Sequence, residues 1–319
     1  MSQTGARRAF LILAAALAAL VVGAFVVHAP PAHGSAVAAA ARTSPSRVPS
    51  PVASPGGTSS SPAPSARRPA SPSPSPSTRA AGTEQELDSA LDAAAGHAAV
   101  AVADLDTGES LSRGETGHLF DTASIVKADI LAALLLQHQE AGTTLTADQR
   151  ALATSMIEQS DNDAATSLLA QVGGPEALDD VNVRLGLRHT TVGTGGYWGL
   201  TTTTAADQLT LLQQIFGTGP SKLSTASRNY VRSLMGEVEA DQDWGVSAAA
   251  GAGGGYAVKN GWLSRSATGL WVINSIGRVE RDGHTYLVSV LSDGNPTMAD
   301  GISLVERIAE AAVARVSGP

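Results

Sequence analysis

Twelve of the chain's 16 prolines lie between residues 30 and 82, interleaved with serine and alanine in runs such as residues 71–76. A segment of that composition cannot bury enough apolar surface to offset the entropy of ordering it. It reads as an extended, disordered linker, which confines the folded part of the chain to residues 83–319. Charge divides at the same place. Residues 1–83 contain seven arginines and no acid, whereas the remaining 236 residues hold 14 of the 21 basic side chains and all 29 acidic ones, a formal net charge of −15. A domain so acidic, without a basic patch and interleaved aromatics, is not expected to bind nucleic acid.

Ahead of the linker, Arg7 and Arg8 precede an unbroken apolar run over residues 9–27. This has the n-region and h-region of an export signal, and its length is also the lower limit for a membrane span. Residues 1–29 are therefore a signal peptide or an N-terminal membrane anchor. Either way the domain is expected to be extracytoplasmic, secreted or anchored to the outer face of the cytoplasmic membrane. The chain has no cysteine, which excludes a disulfide framework and a lipid-modified cysteine. Its seven histidines show no metal-ligand spacing, so neither a metal nor a cofactor is expected.

Within residues 83–319, a short amphipathic helix at 84–95 precedes a strand at 98–105. Asp106, Thr107 and Gly108 turn that strand back on residues 109–113. Helical stretches follow over 124–216 and 224–238. Strands are expected at 257–262, 270–276 and 285–291, and a closing helix at 298–314. Two strands, then helices, then three strands and a helix predict an α+β, three-layer α/β/α fold. One antiparallel five-stranded sheet would be completed from both chain ends and flanked by helices, with an all-helical lobe inserted at about residues 118–245.

The chemistry-bearing positions are marked by lysine. The chain uses 18 arginines but only three lysines, at 127, 222 and 259. An amine can lose its proton near neutral pH and a guanidinium cannot. Lys127 follows Ser124 by three residues at the start of an apolar helix, so hydroxyl and amine share one face near the helix's free N–H groups. A serine nucleophile needs a base of that kind. Ser160, Asp161 and Asn162 form a turn between helices. Lys259, Asn260 and Gly261 lie on a late strand, where the glycine permits close approach of another backbone or a ligand.

Ser-x-x-Lys, Ser-x-Asn and Lys-x-Gly in this order resemble the penicillin-recognising serine enzymes, most closely the class A β-lactamases. Gly173, Gly174 and Pro175 and the threonines at 201–204 extend the likeness over about residues 84–317. The resemblance implies that Ser124 is acylated, that Lys127 is its base with Lys259 nearby, and that Ser160 relays a proton to the leaving nitrogen. Asn162 would hold the substrate's side-chain amide, and Lys259 would attract its carboxylate. Asn260 replaces the family's hydroxyl and would donate to the same carboxylate. Beside Gly261, the N–H groups of Ser124 and Trp262 would form the oxyanion hole. The implied partner is a β-lactam or a cell-wall peptide, and the implied state is a monomer.

Three departures matter. The interval from Lys127 to Ser160 is short, so the helical lobe is trimmed, and the Lys-Asn-Gly triplet lacks the family's hydroxyl. Most serious, residues 187–200 contain no acid where the family has a glutamate that activates the deacylating water. Glu176, Asp179, Asp180 and Asp207 read as structural helix acids, His189 as a surface residue, and Trp198 as core. The expectation is an exported serine hydrolase that acylates readily and deacylates slowly. Peptidase or esterase action on cell-wall peptides, or a penicillin-binding module without turnover, are the alternatives.

Overall fold

A computed structural model describes residues 76–318. The 1–29 segment and all but the end of the 30–82 linker lie outside the described residues. Helix α1 (Pro76–Asp92) begins inside the span assigned to the linker. A proline is tolerated in a first helical turn because its missing N–H has no intrahelical partner there. β1 (His97–Asp104) and β2 (Ser110–Gly114) form the expected hairpin, and Asp104 Oδ1 closes its turn by accepting from the Asp106 and Thr107 N–H groups.

β3 (Phe120–Asp121) leads into a 3₁₀ turn, Ala123–Ile125, and then α2 (Val126–Glu140). Next come α3 (Ala147–Glu158), α4 (Asn162–Val172) and α5 (Pro175–Leu185). β4 (Thr202–Thr203) pairs with β3, and α6 (Ala205–Phe216) and α7 (Thr225–Met235) complete the helical part. β5 (Tyr256–Ser264), β6 (Trp271–Arg281), β7 (His284–Asn295) and α8 (Met298–Val316) close the chain.

The main sheet has five strands in the order β2-β1-β7-β6-β5, every pair antiparallel. It is completed from both ends, with β7 inserted between the N-terminal hairpin and β6. Alternation along the strands sorts two cores. Val100, Val102, Val288 and Val290 pack with Leu304, Val305 and Ile308 of α8 on one face. Ala99, Ala101, Leu287 and Leu291 face the larger core built on α2 and α6. The result is the expected three-layer α/β/α arrangement.

In α2, every residue from Val126 to Leu136 is buried. A helix apolar on all sides is a central element, and its two charged residues, Lys127 and Asp129, need an account. Lys127 belongs to the site described below. Neither oxygen of Asp129 meets a hydrogen-bond partner at good geometry, and the nearby Gln208 amide offsets little of the desolvation. Burial pushes this carboxyl from its ordinary 3.8 up to about 8.

Asp129 is neutral in the folded chain and ionised in the unfolded one between those values. Its contribution to stability is complete below the ordinary carboxylate pKa and is lost as pH rises towards 8. Between pH 5 and 7 that loss is roughly 3 kcal/mol. Asp129→Asn should remove this fall, which denaturant unfolding at the two pH values measures. A variant as pH-sensitive as the parent would contradict the buried, protonated carboxyl.

Candidate active site

Three remote segments converge at one end of α2. Ser124 lies in the 3₁₀ turn before α2 rather than in its first α-helical turn, and Lys127 is the second residue of α2. Ser160 sits in the turn between α3 and α4, and Lys259 projects from β5. Among the described residues only three non-glycines have positive φ, and two belong here: Ala123 at 48° and Ser160 at 57°. Non-glycine residues in that region are strained by about 1–3 kcal/mol and persist only where the surroundings hold them. Here the strain falls on the residue before Ser124 and on the residue whose hydroxyl faces both amines.

Lys127 Nζ donates to the Ser160 carbonyl at 2.5 Å, to Ser160 Oγ at 3.0 Å and to Asn162 Oδ1 at 2.8 Å. Lys259 Nζ approaches the same Ser160 Oγ at 3.0 Å and the Asn260 carbonyl at 3.1 Å. One hydroxyl thus lies between two amines. The expected hydrogen bond from Lys127 to Ser124 is not formed, because Ser160 and Asn162 occupy the amine.

Both lysines are fully buried. Burial lowers Lys127 to about 7, with the nearby Asp161 carboxylate opposing the fall. Lys259 falls well below its ordinary value, again through burial first and through Lys127 second. Desolvation therefore outweighs mutual repulsion in depressing these amines. A neutral Lys127 keeps two donors for the carbonyl and amide oxygens and turns its lone pair on the Ser160 hydroxyl.

Gly261 brings β5 against the nucleophile turn. A Cβ there would lie 2.7 Å from Thr122 O, 2.8 Å from Ser124 N and 2.9 Å from Ile125 N. β5 is an edge strand of the main sheet, and its residue 261 points at this turn. Trp262 follows in the same strand and packs edge-on against Trp244, ring centroids 6.0 Å apart. Asn260 departs from expectation. Its Nδ2 donates to the Gln242 and Trp244 carbonyls, both at 2.8 Å, and it is buried. It ties down the loop before β5, and its amide is not available to a substrate carboxylate. Strand alternation is the reason: Lys259 and Gly261 share one face of β5 and Asn260 takes the other.

The loop over residues 187–200 is clamped by the acids read as structural. Asp179 Oδ1 accepts from the Val192 N–H at 2.8 Å, and Asp207 Oδ2 from the His189 N–H at 2.6 Å and Thr190 Oγ1 at 2.8 Å. What the loop places at the amines is Trp198. Its ring centroid lies 5.0 Å from Lys127 Nζ, and its indole N–H donates to Thr166 Oγ1 at 3.0 Å. Trp198 packs against the larger core, as its apolar ring suggests, and its approach to Lys127 is not legible in the sequence. No periodicity in a short glycine-rich loop could have aimed it at a lysine 71 positions earlier.

A model of the beta-lactamase enzyme family matches residues 136–316, a span that holds Ser160 and Lys259 and begins after Ser124 and Lys127. LppW of Mycobacterium tuberculosis, named as a lipoprotein, is 33% identical over 129 residues, covering 40% of this chain and 41% of LppW. The chain thus spans well under half the length of the curated relatives it matches. Among solved structures, a beta-lactamase from Chitinophaga pinensis shares 21% identity with a TM-score of 0.64, covering 72% of this chain and 97% of the other. A class A beta-lactamase from Bacteroides cellulosilyticus shares 19% at a TM-score of 0.64, covering 76% and 99%. A variant of PBP-A, solved as an acyl-enzyme with penicillin G, shares 23% at 0.62, covering 72% and 93%. At these identities the structures bear on the fold.

Gly261→Ala provides a direct test of the site's geometry. Its new Cβ meets backbone atoms, so the turn carrying Ser124 must shift. A displacement near 1 Å can reduce reactivity about 100-fold. The variant should stay folded by circular dichroism while labelling of Ser124 by a serine-directed fluorophosphonate slows by at least tenfold. Unchanged labelling would show that this contact does not position the nucleophile.

Proposed function

The chain belongs to the beta-lactamase enzyme family, and we propose that it is an extracytoplasmic serine hydrolase acylated at Ser124 by β-lactams or related amides. The observation that carries this reading is the Ser160 hydroxyl held 3.0 Å from each of two buried amines. In the proposed reaction the neutral Lys127 amine turns its lone pair from the Ser160 hydroxyl to Ser124, whose Oγ bonds to the carbonyl carbon as its proton passes to that amine. The N–H groups of Ser124 and Trp262 stabilise the oxyanion. As the C–N bond breaks, Ser160 delivers its proton to the leaving nitrogen and is reprotonated from Lys127. Lys259 supports that transfer and attracts the substrate carboxylate, and Asn162 holds the substrate amide.

Release of the acyl group needs a second base aimed at a water. Asp179 and Asp207 are engaged with loop backbone, and Trp198 covers Lys127 instead. General-base assistance is worth about 100- to 10,000-fold, and its loss leaves a long-lived acyl-enzyme. The acyl-enzyme obtained with a PBP-A variant supports the idea that such a fold can hold one. The edge strand β5 favours a second reading, peptidase or esterase action on cell-wall peptides, because its open edge can pair with an extended substrate. The lipoprotein name of LppW supports an extracytoplasmic location.

Since Lys127 must be neutral to act, the acylation rate should rise with pH to a plateau, with a midpoint near 7. Lys127→Arg should abolish it, because a guanidinium stays protonated. Stopped-flow acylation by a chromogenic cephalosporin checks both. Wild-type rates in the arginine variant would show that Lys127 is not the base.

After excess penicillin is removed, intact-protein mass spectrometry should show an adduct persisting on Ser124 and absent from Ser124→Ala. Rapid return to the unmodified mass over many turnovers would sink slow deacylation. Absence of any adduct, with cleavage of a D-Ala-D-Ala peptide, would select the peptidase reading, and inertness to both a non-catalytic module.

A further inference from the structure

At the far end of β1 from its hairpin with β2, two histidines and an aspartate from three parts of the chain converge. His97, the first residue of β1, lies directly across the ladder from Asp293 of β7. Its Nδ1 is 2.8 Å from Asp293 Oδ1. His118 comes from the loop between β2 and β3, and its Nε2 is 2.8 Å from Asp293 Oδ2. The two imidazoles stack with centroids 4.0 Å apart and 18° between planes, and Phe120 steadies His118 edge-on at 4.5 Å. Glycines hold the backbone behind them. A Cβ on Gly96 would lie 2.3 Å from the Asp293 carbonyl, and one on Gly294 would lie 2.9 Å from the Gly96 Cα.

We propose that His97 Nδ1, His118 Nε2 and the Asp293 carboxylate form a binding site for a divalent transition-metal ion of the zinc class. Two imidazoles and one carboxylate are a donor set such ions prefer, and water completes the fourth position. The donor atoms lie within 4.8 Å of one another. Neighbouring ligands of a tetrahedral zinc ion are roughly 3.3–3.5 Å apart, so the two stacked rings must tilt apart until their in-plane lone pairs meet at the ion. Glu115 Oε2, 3.8 Å from His97 Nε2, faces the ring nitrogen left over and can fix the tautomer that presents Nδ1.

The side chains are 23–46% exposed, which leaves an entry path and room for the water. Binding exchanges the proton that each imidazole would otherwise share with Asp293 for the ion, and the protons leave to solvent. The other comparable grouping, Asp104, Asp106 and His284, is already engaged. Asp104 accepts from two backbone N–H groups and from His284, and Asp106 accepts from the Thr285 N–H.

The bound ion would pin the start of β1, the end of β7 and the loop that runs through β3 to Ser124. The test uses the full chain freed of metal with EDTA and then dialysed. Zinc titration by calorimetry should show one saturable site, and cobalt should give tetrahedral visible absorption. At a hundredfold excess over Kd the melting temperature should rise by about 5 °C or more. His118→Gln and Asp293→Asn should each weaken binding at least tenfold. Since a variant could misfold, imidazole ¹⁵N resonances of the wild type provide a second reading, in which zinc should shift His97 and His118 together. No saturable binding, binding unchanged in both variants, or resonances of that pair unmoved at saturating zinc would each overturn the site.

Discussion

The structure depends on taking two amines out of water beside a single hydroxyl. Each ammonium nitrogen is 3.0 Å from Ser160 Oγ, so the two are no more than about 6 Å apart. At an effective dielectric of about 20, two full charges at that distance repel by roughly 3 kcal/mol. Burial adds a larger penalty on each charge. The pair therefore rests with at least one amine neutral near pH 7. The fold maintains it by surrounding α2 with apolar side chains, by straining Ser160 into a positive φ, and by bringing β5 so close to the nucleophile turn that only glycine fits at 261.

Much of this was legible in the residues. Lysine is so scarce here that its retention at 127 and 259 marked a chemical use, and the order of strands and helices predicted a sheet closed from both ends. Asn260 was legible in principle and was misread. Two-residue alternation places it opposite Lys259 and Gly261, where it binds the backbone of residues 242–244. The helical start at Pro76 was hidden because proline and serine signal disorder in bulk yet are acceptable in a first turn. Other features depend on tertiary placement alone. Trp198 meets Lys127 only because Asp179 and Asp207 fold its loop back, and His97 meets Asp293 across 196 positions of sequence.

Trp198 also changes the electrostatic character of the site. A carboxylate beside Lys127 would favour its charged form. An indole face attracts an ammonium more weakly and excludes water. The loop thus presents Lys127 with an aromatic face, and no carboxylate of residues 187–200 lies beside it.

The position of β7 has a kinetic consequence. As the central partner of both β1 and β6, it supplies, among the described residues, the ladder joining the N-terminal hairpin to the rest of the sheet. Residues 97–104 must wait for residues 286–293, so the contacts that define the domain are among the most distant in sequence. Such topologies fold slowly because loop closure must precede the contacts that reward it. A chain emerging from its N-terminus thus cannot close the sheet until nearly all of it has been made. Until then Ser124, Ser160 and Lys259 are parts of an open polymer, and their grouping waits on the last strands to be made.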